Sequence, residues 1–81
     1  MDFFNYKNGH LRGEGVALAD IADEIVTPFY AYSTATLTRH FEVFSDALRG
    51  MNAMVCFAVK ANSNQAVLTT LAALGAGADV V

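Results

Sequence analysis

One lysine, Lys60, closes the apolar run Ala53-Met-Val-Cys-Phe-Ala-Val-Lys60 and is followed by Ala61-Asn62. An unbroken apolar run rich in Val and Phe reads as a strand buried on both faces. In parallel α/β folds, ligand sites lie at the carboxyl ends of the strands, so Lys60 stands where such a fold keeps its chemistry. An amine in an apolar mouth is desolvated, which favours its neutral, nucleophilic form. Such an amine forms a Schiff base with an aldehyde. A lysine also ends a strand by extending its ammonium into water, and spacing alone leaves both readings open.

The elements around Lys60 follow from periodicity. Phe3 to Tyr6 alternates weakly and leads into Asn8-Gly9, a strong hairpin signal. His10 to Val16 is expected to be the return strand, loosened by Gly13 and Gly15. Leu18, Ile21, Ala22 and Ile25 fall at helical spacing, with Asp20, Asp23 and Glu24 off that stripe. Three acids raise the question of a metal, but this spacing does not converge, and a solvated helix face explains them.

Thr27-Pro28 ends the helix, because the residue before proline avoids the α region. Phe29-Tyr-Ala-Tyr32 is expected to be a short strand, and Ser33 an N-cap. Leu37, Phe41, Phe44 and Leu48 then form a helical stripe from Thr34 to Arg49, closed by Gly50. After the Lys60 strand, Asn62 is expected to cap a helix with Gln65 in the reciprocal position. Val67, Leu68, Leu71, Ala72 and Leu74 would be its buried face. Gly75 and Gly77 stop it, and Asp79-Val80-Val81 opens another strand. Strand, helix, strand, helix, strand is the alternation of a parallel α/β sheet or barrel.

Composition narrows the class. Hydrophobic residues make up 54% of 81 residues, more than a free-standing domain of this size can hide. With the pattern breaking off inside a strand, we expect the N-terminal piece of a longer protein, neither stable nor active alone. Net charge is −3, without a basic patch, which argues against nucleic acid. No apolar run could span a bilayer, and the start lacks the pattern of a signal peptide. A single cysteine, Cys56, forms no internal disulfide, and a cytoplasmic location is expected. Cys56, Tyr30 and Tyr32 read as packing residues, and His10 and His40 as surface residues.

Three segments carry a resemblance. Phe57-Ala-Val-Lys60-Ala-Asn62 is similar to the lysine motif of the fold-type III enzymes that use pyridoxal 5′-phosphate (PLP). That family includes alanine racemase and the ornithine, arginine and diaminopimelate decarboxylases. Thr27-Pro-Phe-Tyr-Ala-Tyr-Ser33 resembles the Thr-Pro segment of the diaminopimelate-specific branch, and Gln65 to Val81 continues the likeness. Asn5 to Gly15 fits the family's N-terminal ribbon. Val26 stands where the family often has glycine, which affects the turn and not the chemistry.

The resemblance implies the N-terminal part of a PLP-binding (β/α)8 barrel of the alanine racemase type, spanning 27–81. Residues 1–26 would be a ribbon and short helix associated with a separate β-domain. It implies that Lys60 carries PLP as an internal aldimine. Asp79 matches an acidic residue that lies near the cofactor and the lysine in related decarboxylases. Alone, Asp79 reads as a strand-opening aspartate that bonds nearby backbone. The implied reaction is decarboxylation of meso-2,6-diaminopimelate to L-lysine, in a homodimer with shared active sites. An ornithine or arginine decarboxylase, an amino-acid racemase, a non-catalytic PLP carrier and a purely structural Lys60 are the alternatives. The family's phosphate loop, substrate-binding arginine and catalytic cysteine would all lie beyond Val81, so neither Cys56 nor the histidines inherit those roles.

Overall fold

Asn8 and Gly9 both take positive φ, +55° and +80°, which is the geometry of the two-residue turn that matches strand twist. The turn joins β1 (Phe4–Lys7) to β2 (His10–Gly13) in antiparallel register, with Lys7 opposite His10 and Phe4 opposite Gly13. These and all following features come from a computed structural model that describes residues 3–81. The chain divides into two compact units, the first ending at Thr36 and the second running from Leu37 to Val81.

In the first unit the expected return strand is split. A second tight turn at Glu14-Gly15, φ +52° and +87°, sends the chain back as β3 (Val16–Ala17), with Gly13 opposite Val16. The ribbon is therefore a three-stranded meander in the order β1-β2-β3. A left-handed backbone costs a residue with a Cβ roughly 1–2 kcal/mol, so Glu14 is held there by something other than local preference. Its backbone N–H donates to the Phe3 carbonyl at 2.9 Å, and the Arg12 guanidinium donates to the Gly15 carbonyl at 2.7 Å.

Helix α1 (Leu18–Glu24) follows without a break. Leu18, Ile21 and Ala22 are half-buried, while Asp20, Asp23 and Glu24 are exposed, as a solvated face requires. No cluster that could hold a metal occurs among the described residues. The helix stops before Ile25, which is exposed. Beyond it the Thr27–Pro28 peptide is cis. Phe29–Tyr32 is not a strand, contrary to expectation, because the described residues give it no ladder partner. Tyr30 and Tyr32 are not core residues either: both are exposed and stack on each other, with ring centroids 6.5 Å apart.

Ser33 caps helix α2 (Thr34–Ala47) as expected, its Oγ accepting from the Thr36 N–H at 3.0 Å. The same hydroxyl, which is buried, donates to Glu14 Oε2 at 2.7 Å, and the Ala35 N–H donates to that oxygen at 3.2 Å. The Ser33 hydroxyl first, then the Ala35 amide, holds the Glu14 carboxyl below the usual carboxylate range.

In the second unit Leu37, Phe41 and Leu48 are half-buried, but Phe44 is exposed and drops out of the expected stripe. The last turn tightens: the Leu48 and Arg49 amides bond the Ser45 and Asp46 carbonyls, each at 3.1 Å. This ends α2 at Ala47, before Gly50 at φ +85°. Arg49 also pairs with Asp46 at 2.7 Å on the surface.

The Lys60 strand is shorter and wetter than its composition predicts. Only Cys56–Ala58 forms β4, and it pairs in parallel with β5 (Gly77–Asp79). The expected burial on both faces is absent because the described residues supply a two-stranded sheet and one covering helix, α3 (Gln65–Ala73). Cys56 is accordingly exposed and not a core residue. The apolar core here is Val67 and Leu71, flanked by half-buried Leu68 and Leu74; Ala72 is exposed.

Both ends of α3 are specified. Asn64, not Asn62, is its cap: Asn64 Oδ1 accepts from the Ala66 N–H at 2.9 Å. Asn62 Oδ1 instead accepts from the Asn64 N–H at 2.9 Å, a side-chain turn that precedes the cap. Gln65 therefore makes no capping box and reaches Thr69 at 3.3 Å. At the far end the Gly75 and Ala76 amides bond the Ala72 and Leu71 carbonyls at 3.0 and 3.1 Å, a Schellman motif. No helix among the described residues is long and apolar enough to cross a membrane.

Two outcomes test these assignments in the complete protein by denaturant unfolding. Asn64→Ala destabilises by about 1 kcal/mol and Asn62→Ala by less, because only Asn64 satisfies a helix N–H. Gly77 faces Cys56 across the pair, and a Cβ there would lie 2.9 Å from Cys56 Sγ. The Sγ atom ends an exposed side chain that can turn away, so Gly77→Ala destabilises by less than about 1 kcal/mol, and by less still when Cys56 is also replaced by Ala.

Candidate functional site

β4 ends at Ala58, and the chain then tightens into a 3-10 turn, Val59–Ala61, that carries Lys60 at its middle. The Asn62 N–H closes that turn on the Val59 carbonyl at 3.1 Å. The sequence dictates the stop. Small Ala58 and Ala61 flank the turn, and the Asn62 and Asn64 side chains each satisfy a backbone amide on the way into α3. Lys60 is thus fixed between a strand and a capped helix, at the carboxyl end of β4.

Asp79 is the last residue of β5, directly opposite Ala58 in the parallel register. The pairing sets the Asp79 backbone beside the end of β4, one step before the Lys60 turn. Both sequence-derived candidates therefore belong to one edge of the sheet, the carboxyl edge where parallel α/β folds place ligands. Among the described residues no hydrogen bond or ion pair joins the two side chains. Contrary to expectation Asp79 closes its strand and does not open one, because the ladder to β4 begins two residues earlier at Gly77; its Oδ1 accepts from the Val81 N–H at 3.3 Å, a bond to nearby backbone as expected.

Lys60 itself is exposed, so the apolar mouth expected around its amine is not formed by the described residues. An apolar concavity of about 290 Å³ does lie on the same sheet, between Phe57, Val59, Leu71, Ala76, Ala78 and Val80. Val59 and Val80 bring it up to the residues next to Lys60 and Asp79, but Lys60 does not line it. Exposure leaves the amine open to a reagent.

The donor set is a primary amine with a carboxylate on the adjoining strand. It fits an aldehyde-bearing group, which the amine can hold covalently. It does not fit a metal. The described part of this edge has no glycine-rich loop for a phosphate. His10 and His40 are exposed on β2 and α2 and take no part in the edge. Two residues whose roles the sequence reading missed are Glu14 and Asn64. Asn64 carried a signal, since it directly precedes the first apolar turn of α3. Glu14 carried none, because its partner Ser33 is distant in sequence.

Comparison with known proteins places this edge in context. Residues 34–81 match the family model described as pyridoxal-dependent decarboxylase, pyridoxal binding domain. The whole chain is 57% identical over 81 residues to a diaminopimelate decarboxylase of Pseudomonas fluorescens, covering 20% of that protein. It is 53% identical to one of Pseudomonas aeruginosa and 51% identical, over 82 residues, to one of Vibrio cholerae, again covering all of this chain and 20% of each relative. A crystal structure from Aquifex aeolicus superposes with a TM-score of 0.90 at 40% identity, over 98% of this chain and 19% of that one. The chain thus spans about a fifth of the length of the curated relatives it matches. With the family model covering more than half of the chain, and Lys60 at the carboxyl edge inside the matched region, this chain belongs to the pyridoxal-dependent decarboxylases and carries part of their pyridoxal binding domain.

Proposed function

We propose that the complete protein is a PLP-dependent diaminopimelate decarboxylase, which converts meso-2,6-diaminopimelate to L-lysine and CO2. The observation that carries this is the 57% identity to a protein of that name across the whole chain. A lysine at the carboxyl edge of the matched domain supports it. In this reading residues 27–81 begin a (β/α)8 barrel, and residues 1–26 associate with a separate β-domain. The protein acts as a cytoplasmic homodimer with shared active sites.

Lys60 is the residue that would hold PLP, through its amine. When bound, PLP supplies an electron sink for the carbanion left when an amino acid loses CO2. Water stabilises such a carbanion poorly, which is why the reaction needs a cofactor. Lys60 Nζ, when not holding the cofactor, would stand at the same edge as an ammonium able to deliver a proton to the carbon that lost CO2. Its attachment to a short turn between a strand and a capped helix limits how far it can move from that carbon. Asp79, one row back on the neighbouring strand, would set a carboxylate at the same edge, near the lysine and the cofactor.

The test is CO2 release by the complete, PLP-loaded protein from meso-diaminopimelate, with ornithine and arginine as controls. Release is expected from diaminopimelate alone, and Lys60→Ala lowers it by at least about a hundredfold. Release from ornithine or arginine instead, or full activity in the variant, contradicts the proposal.

A further inference from the structure

The Glu14-Gly15 turn joins two observations that local preference does not explain together. A two-residue turn of this hand favours Asn, Asp or Gly at its first position, yet Glu14 occupies it at φ +52°. Its carboxylate meets the first turn of α2, where Glu14 Oε2 accepts from buried Ser33 Oγ at 2.7 Å and from the Ala35 N–H at 3.2 Å. Ser33 Oγ in turn accepts from the Thr36 N–H at 3.0 Å. The other rim of the meander reaches the same helical turn, since the Phe3 N–H donates to Thr36 Oγ1 at 3.0 Å. Phe3 and Glu14 are themselves joined by a backbone bond of 2.9 Å.

We propose that Glu14 is a clasp. Its unfavourable backbone is retained because its carboxylate, with Ser33, ties the N-terminal meander to the first turn of α2. A helix start normally satisfies its open N–H groups with one local side chain. Here Ser33 serves Thr36, and Glu14, from another element, serves Ala35 and fixes the Ser33 hydroxyl. An anion is also favoured at this end of a helix. Asn or Gly at position 14 would relax the turn but could not span to Ser33 and Ala35.

The proposal reverses the sign expected for a glycine substitution. If the Glu14 side chain did nothing, Glu14→Gly would relieve the backbone and leave helix amides protected. With the clasp, Glu14→Gly exposes them. The experiment is hydrogen exchange with residue-level readout on the complete protein, comparing wild type, Glu14→Gly, Glu14→Gln and Ser33→Ala. Ala35 is expected to exchange about fivefold faster in Glu14→Gly, with Asn5 and Lys7, whose positions in the hairpin ladder are hydrogen-bonded pairs, unchanged. Glu14→Gln, which keeps the reach and an acceptor oxygen, restores part of the protection. The double variant Glu14→Gly with Ser33→Ala exposes Ala35 less than the two single effects combined, because the pair acts as one unit. Wild-type or slower exchange at Ala35 in Glu14→Gly, or independent effects in the double variant, overturns the clasp.

Discussion

The parallel pairing of Cys56–Ala58 with Gly77–Asp79 is the constraint on which the site depends. Parallel strands end at the same edge, and a connection long enough to hold a helix must return the chain to the starting edge. α3 is that connection, held at one end by the Asn64 cap and at the other by the Gly75 turn. Its Val67 and Leu71 are buried, and Leu71 lines the apolar concavity on the sheet with Phe57. Gly77 lets the strands approach where a side chain would strike Cys56 Sγ. Once these conditions hold, Lys60 and Asp79 have nowhere else to be. Topology alone puts the two candidates at one edge.

The meander in the first unit obeys a different rule. Its strands are short and none of their residues is fully buried, so little apolar burial holds them. Polar contacts carry more of the organisation there: two tight turns, the bonds from Phe3, and the carboxylate of Glu14 on the start of α2. They act as a set because each ordered group positions the next.

The sequence was most legible where a local rule acted alone. Asn8-Gly9 announced its turn, Ser33 its cap, and the apolar stripe of α3 its buried Val67 and Leu71, though not the exposed Ala72. The position of Lys60 at a strand end was readable from the run before it. Lengths and exposures were less readable, because they depend on neighbours. The run from Ala53 has the composition of a fully buried strand, yet the described residues cover it on one side only, and only Cys56–Ala58 pairs. Phe29–Tyr32 has strand-like residues and no partner. Asn62 and Asn64 compete for one cap, and the backbone direction after the Lys60 turn decides between them. The Glu14–Ser33 contact joins residues far apart in sequence and is visible only once the meander has folded.

The role proposed for Lys60, holding the cofactor through its amine, can be read chemically. The most direct measurement is borohydride reduction of the complete, PLP-loaded protein, followed by peptide mass mapping. A pyridoxyl adduct is expected on the peptide that contains Lys60, with fragmentation placing the added mass on Lys60 itself. An adduct on another lysine, or an unmodified Lys60 peptide from a protein that has bound PLP, would contradict it.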